Sequence, residues 1–115
     1  MRIEDQYFQI VYDKDKMTMS FSGSLRMNAL QEFERVRKFM QEAYELEGNE
    51  LILDFTGLEF MNSAGISTLC KFIFDIKEKG ASKALTIMGK NDILWQKKSF
   101  ENLKKIWGEL AVSFV

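Results

Sequence analysis

The segment that most constrains this chain is Leu51-Ile52-Leu53-Asp54-Phe55, with an amphipathic stripe soon after it. An apolar run so short and unbroken reads as a central strand covered on both faces. The stripe, Ile66, Leu69, Cys70, Ile73 and Ile76, has the three-and-four spacing of one helix face, and Gly80 marks its end. A strand that passes directly into a helix is half of a parallel crossover, so the chain is expected to be α/β. The intervening residues 57–61 are expected to be a short connection.

The remaining elements fit around that unit. Tyr7-Phe8-Gln9-Ile10-Val11-Tyr12 reads as a strand, and Met17, Met19 and Phe21 alternate with Thr18 and Ser20 as a second. The charged turn 13–16 makes them an antiparallel hairpin, which Gly23 is expected to end. Over 27–46, Met27, Leu30, Phe33, Val36, Met40, Ala43 and Tyr44 form a helical stripe, with Asn28 and Gln31 resembling a capping box. Gly48 suits the stop. Leu85-Thr86-Ile87-Met88 is a further strand. Ser99 is expected to cap a short helix that turns Phe100, Leu103, Ile106 and Trp107 inward, and 111–115 closes the chain as a fifth strand. The expected order is β-β-α-β-α-β-α-β, a mixed, mostly parallel sheet of about five strands with right-handed crossovers. With 115 residues and no repeat or linker, 1–115 is read as one domain.

Composition narrows function mainly by exclusion. The chain has no His, one Cys and no Pro, with 16 basic and 17 acidic residues for a formal charge of −1. The default general base is missing, and one Cys permits neither an internal disulfide nor a cysteine zinc cluster. The nucleophile–base pairings of covalent catalysis fail at this inventory, so no enzyme, cofactor or metal is expected. Near-neutral charge gives no long-range pull on nucleic acid or anionic lipid. Without a signal core or a spanning segment, the reading is a cytoplasmic protein that does not insert in membranes.

Phe60-Met61-Asn62-Ser63-Ala64-Gly65-Ile66 is the stretch that packing alone does not explain. Asn62 or Ser63 stands where a helix N-cap belongs, and Gly65 permits close backbone approach in the first turn. A helix start favours an anion, so a phosphate on Ser63 meets donors there and adds about two negative charges to a docking surface. The plain alternative is a cap. Elsewhere Cys70 reads as a small core hydrophobe, and the lysines 97, 98, 104 and 105 as a solvated face. Trp95 reads as packing at the core edge, with a partner anchor as the alternative.

The element order and the segment 53–66 resemble the STAS domain, the module of anti-sigma factor antagonists and sulfate-transporter tails. The resemblance covers nearly the whole chain. The family pattern is an apolar strand ending in Asp, a short loop, then Asp-Ser-Ser/Thr-Gly and an apolar residue. In antagonists the first serine is phosphorylated by a kinase partner, which implies Ser63 as the switch residue here. The family acid is replaced by Asn62 and its second hydroxyl by Ala64, while Gly23-Ser24-Leu25-Arg26 carries Arg where an acid is frequent. These changes remove negative charge around Ser63.

The resemblance implies a phosphorylation-gated partner surface of Asn62, Ser63, Ala64, Gly65, Ser24, Arg26 and Asp54. Its implied partners are a serine-kinase or anti-sigma-like regulator and a matching phosphatase. The alternatives are a constitutive subunit of a stressosome-like or transporter-associated assembly, and a sensor of a small anion or nucleotide.

Overall fold

The computed structural model describes residues 1–26, 30–46, 48–80 and 83–115. Its elements in chain order are β1 (Arg2–Glu4), β2 (Phe8–Asp13), β3 (Thr18–Leu25), α1 (Leu30–Glu45), β4 (Glu50–Met61), α2 (Ser63–Glu78), β5 (Ala84–Gly89), α3 (Leu94–Ile106) and β6 (Ala111–Phe114). All six strands join one sheet in the order of the sequence. Strands β1, β2 and β3 pair antiparallel, and β3 to β6 run parallel. The α/β STAS-like architecture is therefore as expected, with one strand more. The extra strand, β1, is only three residues long and buries just Ile3, too short for periodicity to mark it. Asn28, the expected capping residue of α1, lies outside the described residues.

Strand order and helix placement follow from one another. Each crossover through α1, α2 and α3 steps one place in the same direction, and crossovers of one hand then set their helices on one face. The buried side chains agree. Ile10, Phe21, Leu53, Phe55 and Ile87 from the strands share a single core with Val36, Met40, Phe72, Ile73, Phe100 and Leu103 from the helices. The expectation that the central strand is covered on both faces is thus corrected. Leu51, Leu53 and Phe55 are buried, while Ile52, Asp54 and Thr56, on the opposite face, are only half-buried.

Two boundaries differ from the sequence reading for a common reason. Residues 57–61 are not a connection but the second half of β4, paired with β3 through Leu25↔Met61. The register slips between Ser20/Ser22 and between Gly23/Ser24, each time placing one extra residue in β4. The inward residues Phe55, Leu58 and Met61 consequently recur every three positions, which hides the strand from a period-two reading. Gly57 lies opposite Ser22, where a Cβ would stand 3.2 Å from the serine Cβ. Gly23 is the last β3 residue paired with β2, so the hairpin ends there as expected, but β3 itself runs on beyond the alternating residues 17–21. The Gly23 φ of +89° kinks the strand, with Ser24 N–H donating to Tyr7 O at 2.9 Å, and pairing with β4 continues to Leu25. Any side chain at 23 would set its Cβ 2.2 Å from Tyr7 O.

The last helix corrects a third expectation. It begins at Leu94, five residues before Ser99, and Ile93 at its N-cap position makes no side-chain cap bond. Trp95 and Gln96 therefore lie within the first turn of α3, not in the approach to it.

Candidate functional site

The ends of β3 and β4 lie side by side and deliver two short segments to one spot. Asn62 N–H donates to Leu25 O at 3.2 Å, closing the parallel ladder. Arg26 and Ser63 each follow directly on one partner of that bond. Asn62 is the N-cap of α2, with an extended backbone (φ −76°, ψ 171°) and a side-chain Oδ1 accepting from Gly65 N–H at 3.0 Å. Its carbonyl accepts from Ile66 N–H at 3.1 Å. Asn62 rather than Ser63 thus supplies the cap, leaving the Ser63 side chain exposed at the first helical position. Gly65 is buried in the turn below, and Ala64 is half-buried.

The cap also alters the electrostatics expected of this helix start. One first-turn N–H is already satisfied by a neutral amide, so an anion at Ser63 competes for fewer donors than a bare helix end offers. Positive charge comes from Arg26, whose guanidinium carbon sits 4.3 Å from the centroid of the Phe60 ring. Among the described residues Arg26 forms no salt bridge. A cation held over an aromatic face is attracted by the ring's negative face, a contact worth about 0.5–1 kcal/mol when exposed. Ser24, opposite Phe60 in the ladder, completes the group.

Asp54 stands apart from it. It lies in mid-strand, roughly 20 Å along β4 from the start of α2 at ordinary strand rise. Its Oδ1 accepts from Thr56 N–H at 2.9 Å and from Thr56 Oγ1 at 2.7 Å. It satisfies the backbone where the first bulge takes Thr56 out of the ladder. The structure therefore brings Ser24, Arg26, Asn62, Ser63, Ala64 and Gly65 together, and places Asp54 elsewhere.

Leu94 and Gln96, at this end, were not singled out by the sequence. Phe60 is 37% exposed beneath Arg26, and Leu94 is 83% exposed at the start of α3. Trp95, next to it, donates its indole N–H to Glu59 O at 2.8 Å and meets Phe100 edge-on at 5.9 Å. That is the packing role. Gln96 is fully buried; its amide donates to Phe55 O and Leu58 O, both at 2.7 Å, and its Oε1 accepts from Lys90 N–H at 2.8 Å. Strand β5 pairs with β4 only as far as Asp54, so Trp95 and Gln96 take up carbonyls of β4 that β5 does not reach. No motif announces such a pairing; only a polar residue on an otherwise inward face hints at it.

Beside the start of α2, a groove of about 350 Å³ separates it from α1, lined by Phe33, Arg37, Ala64, Ser67 and Lys71 among others. Arg37 spans the groove, bonding Glu34 at 2.6 Å and Asp75 at 3.4 Å. The Arg37 hydrogen bond holds the Glu34 carboxyl below its ordinary value. On α2, burial pushes the Cys70 thiol above its ordinary value, in keeping with a core hydrophobe. Among the described residues no three Cys, Asp or Glu side chains gather as metal ligands, and no helix is long and apolar enough to cross a membrane.

The model for the STAS domain matches residues 10–93, which take in the strand end, the N-cap, the exposed serine and the buried glycine. The chain belongs to the STAS domain family. A search of curated proteins finds no match. Among solved structures, this STAS domain is similar to apo-SiaC from Pseudomonas aeruginosa, with a TM-score of 0.70 and 17% identity, covering 98% of this chain and 97% of that one. It is also similar to a chain of the complex between diguanylate cyclase SiaD and its activator SiaC from the same organism. That match has a TM-score of 0.67 and 14% identity, and covers 100% of this chain and 99% of that one. At these identities the likeness is one of fold.

Proposed function

We propose that this STAS domain is a non-enzymatic, cytoplasmic regulator that docks a protein partner through the end of the sheet where β3, β4 and α2 meet, and that phosphorylation of Ser63 gates the contact. The observation that carries the reading is the juxtaposition of exposed Ser63 with Arg26 and Phe60, all at one hydrogen-bonded strand end. Phe60 supplies apolar area, Arg26 an outward cation for a partner carboxylate, and Ser63 the place where charge is added. A phosphoryl group on the Ser63 oxygen brings about two negative charges. It would draw Arg26 from the partner and leave a charge to be desolvated on docking. The fitting partner is a serine-kinase or anti-sigma-like regulator, with a phosphatase to reset the serine. SiaC, of similar fold, is described as the activator of a diguanylate cyclase, which supports a regulatory docking role without naming the partner here.

The test is partner capture by wild type, Ser63→Ala and Ser63→Asp, with intact mass of protein purified from its own host. The expectation is equal capture by wild type and Ser63→Ala, and loss by Ser63→Asp. Equal capture by all three removes the gate.

A constitutive assembly role is the second reading. The exposed Tyr7 and Leu94, 63% and 83% accessible at the same end, favour it, because apolar contact needs no switch. It predicts binding that survives Ser63→Asp and fails on Leu94→Ser.

A further inference from the structure

The outward faces of α2 and α3 form a surface that the gate at Ser63 does not use. On α2, Ser67, Phe74 and Glu78 share one exposed stripe, and on α3 Leu94, Lys98, Glu101 and Lys105 share another. The helices are bound side by side at their far ends, where Lys77 Nζ donates to Ile106 O at 3.1 Å. Next to that crossing, Phe74 is 48% exposed and Ile106 38% exposed. The charge is uneven. Residues 63–79 and 94–106 contain seven lysines and three acids, a formal +4, whereas the rest of the chain has nine basic residues and fourteen acids. One of those three acids, Asp75, is turned toward Arg37 on the α1 side.

A face that sets exposed apolar side chains beside the lysines of α3, on the two helices that carry the chain's excess positive charge, selects a ligand that offers apolar groups and carboxylates. We propose that the α2/α3 face binds an acidic amphipathic helix of a protein partner, its apolar stripe on Phe74 and Ile106 and its acids toward Lys98 and Lys105. A flat anionic membrane fits less well. Glu101 lies between Lys98 and Lys105 and would be pressed against headgroups of its own sign, whereas a helix can turn a basic or small residue to it.

The probe is a labelled synthetic peptide with Leu at helical spacing and Glu on the flanks, set against the same peptide with Lys for Glu. Fluorescence anisotropy with the full chain is expected to show binding of the Glu peptide alone, weakened by salt. Affinity should fall about tenfold in Lys98→Glu/Lys105→Glu and about tenfold in Phe74→Ser, and persist in Lys105→Arg. All these side chains are exposed, and circular dichroism confirms that the variants fold. Ser63→Ala should bind the peptide as wild type does, so loss of the gate leaves this inference standing. Equal binding of the two peptides, or none at about millimolar peptide, overturns it. So do binding to phosphatidylserine vesicles with the peptide ignored, and self-association abolished by the charge reversal, which would make a second copy the occupant.

Discussion

Helices α2 and α3 both start at the end of a parallel strand, yet they are anchored in opposite ways. The start of α2 is small and self-contained: Asn62 caps its own helix, and Ser63 is left outward with no structural duty. At α3 the N-cap position is Ile93, which makes no side-chain cap bond, and the first turn is instead tied to another element through Trp95 and Gln96. A helix end that closes itself can change its surface chemistry cheaply. One that completes a neighbouring strand cannot. The contrast leaves an exposed serine at the start of α2, and at the start of α3 an exposed Leu94 beside two side chains bound to β4.

The largest effect that would test this contrast is at Gln96. Gln96→Leu keeps the volume but removes a donor from Phe55 O and from Leu58 O and an acceptor from Lys90 N–H. Buried groups left unpaired cost about 1–3 kcal/mol each, so urea denaturation should show a loss of about 3 kcal/mol or more. Asn62→Ala removes one cap bond and should cost about 1 kcal/mol, with Asn62→Asp restoring most of it. A loss at Asn62 equal to that at Gln96 would break the distinction. Trp95→Phe deletes the bond to Glu59 O at the rim and trims a partly buried ring against Phe100, and should cost about 1 kcal/mol. Ser63→Asp should change stability by no more than about 0.5 kcal/mol, because an exposed acid at a helix start is neutral to favourable. A larger loss would give Ser63 a structural duty after all.

The smallest effect concerns pH. Glu34 has its folded value lowered, chiefly by the Arg37 hydrogen bond, so the stability it contributes is present above the unfolded carboxylate value and is lost as pH falls through the lower folded one. Arg37→Gln should make the acid limb of stability slightly shallower, seen in thermal melts below about pH 5.

What the sequence disclosed follows the same division between local and distant causes. The start of α2 was legible because its cap, serine and glycine are neighbours in the chain, and a local hydrogen bond leaves a local pattern. The strands whose inward residues alternate, such as Met19 and Phe21, were legible as well. The second half of β4 was not, since its bulges change the period and its free carbonyls are met by side chains 36 to 41 residues later. Asp54 was drawn toward the site by a family pattern that places an acid at a strand end. Here the bulges carry β4 seven residues further, and the carboxylate serves Thr56. Ser99 looked like a cap, whereas α3 starts after Ile93, a residue type that cannot cap with its side chain.

The strictly sequential order of the six strands has one more consequence. Doubly wound sheets bind nucleotides in a crevice that opens where the strand order reverses and adjacent loops part to opposite faces. This sheet never reverses. The ends of β3 and β4 pair with each other and the start of α3 covers the stretch of β4 beyond β5, a shape that offers little enclosure to a small molecule and a continuous edge to another protein.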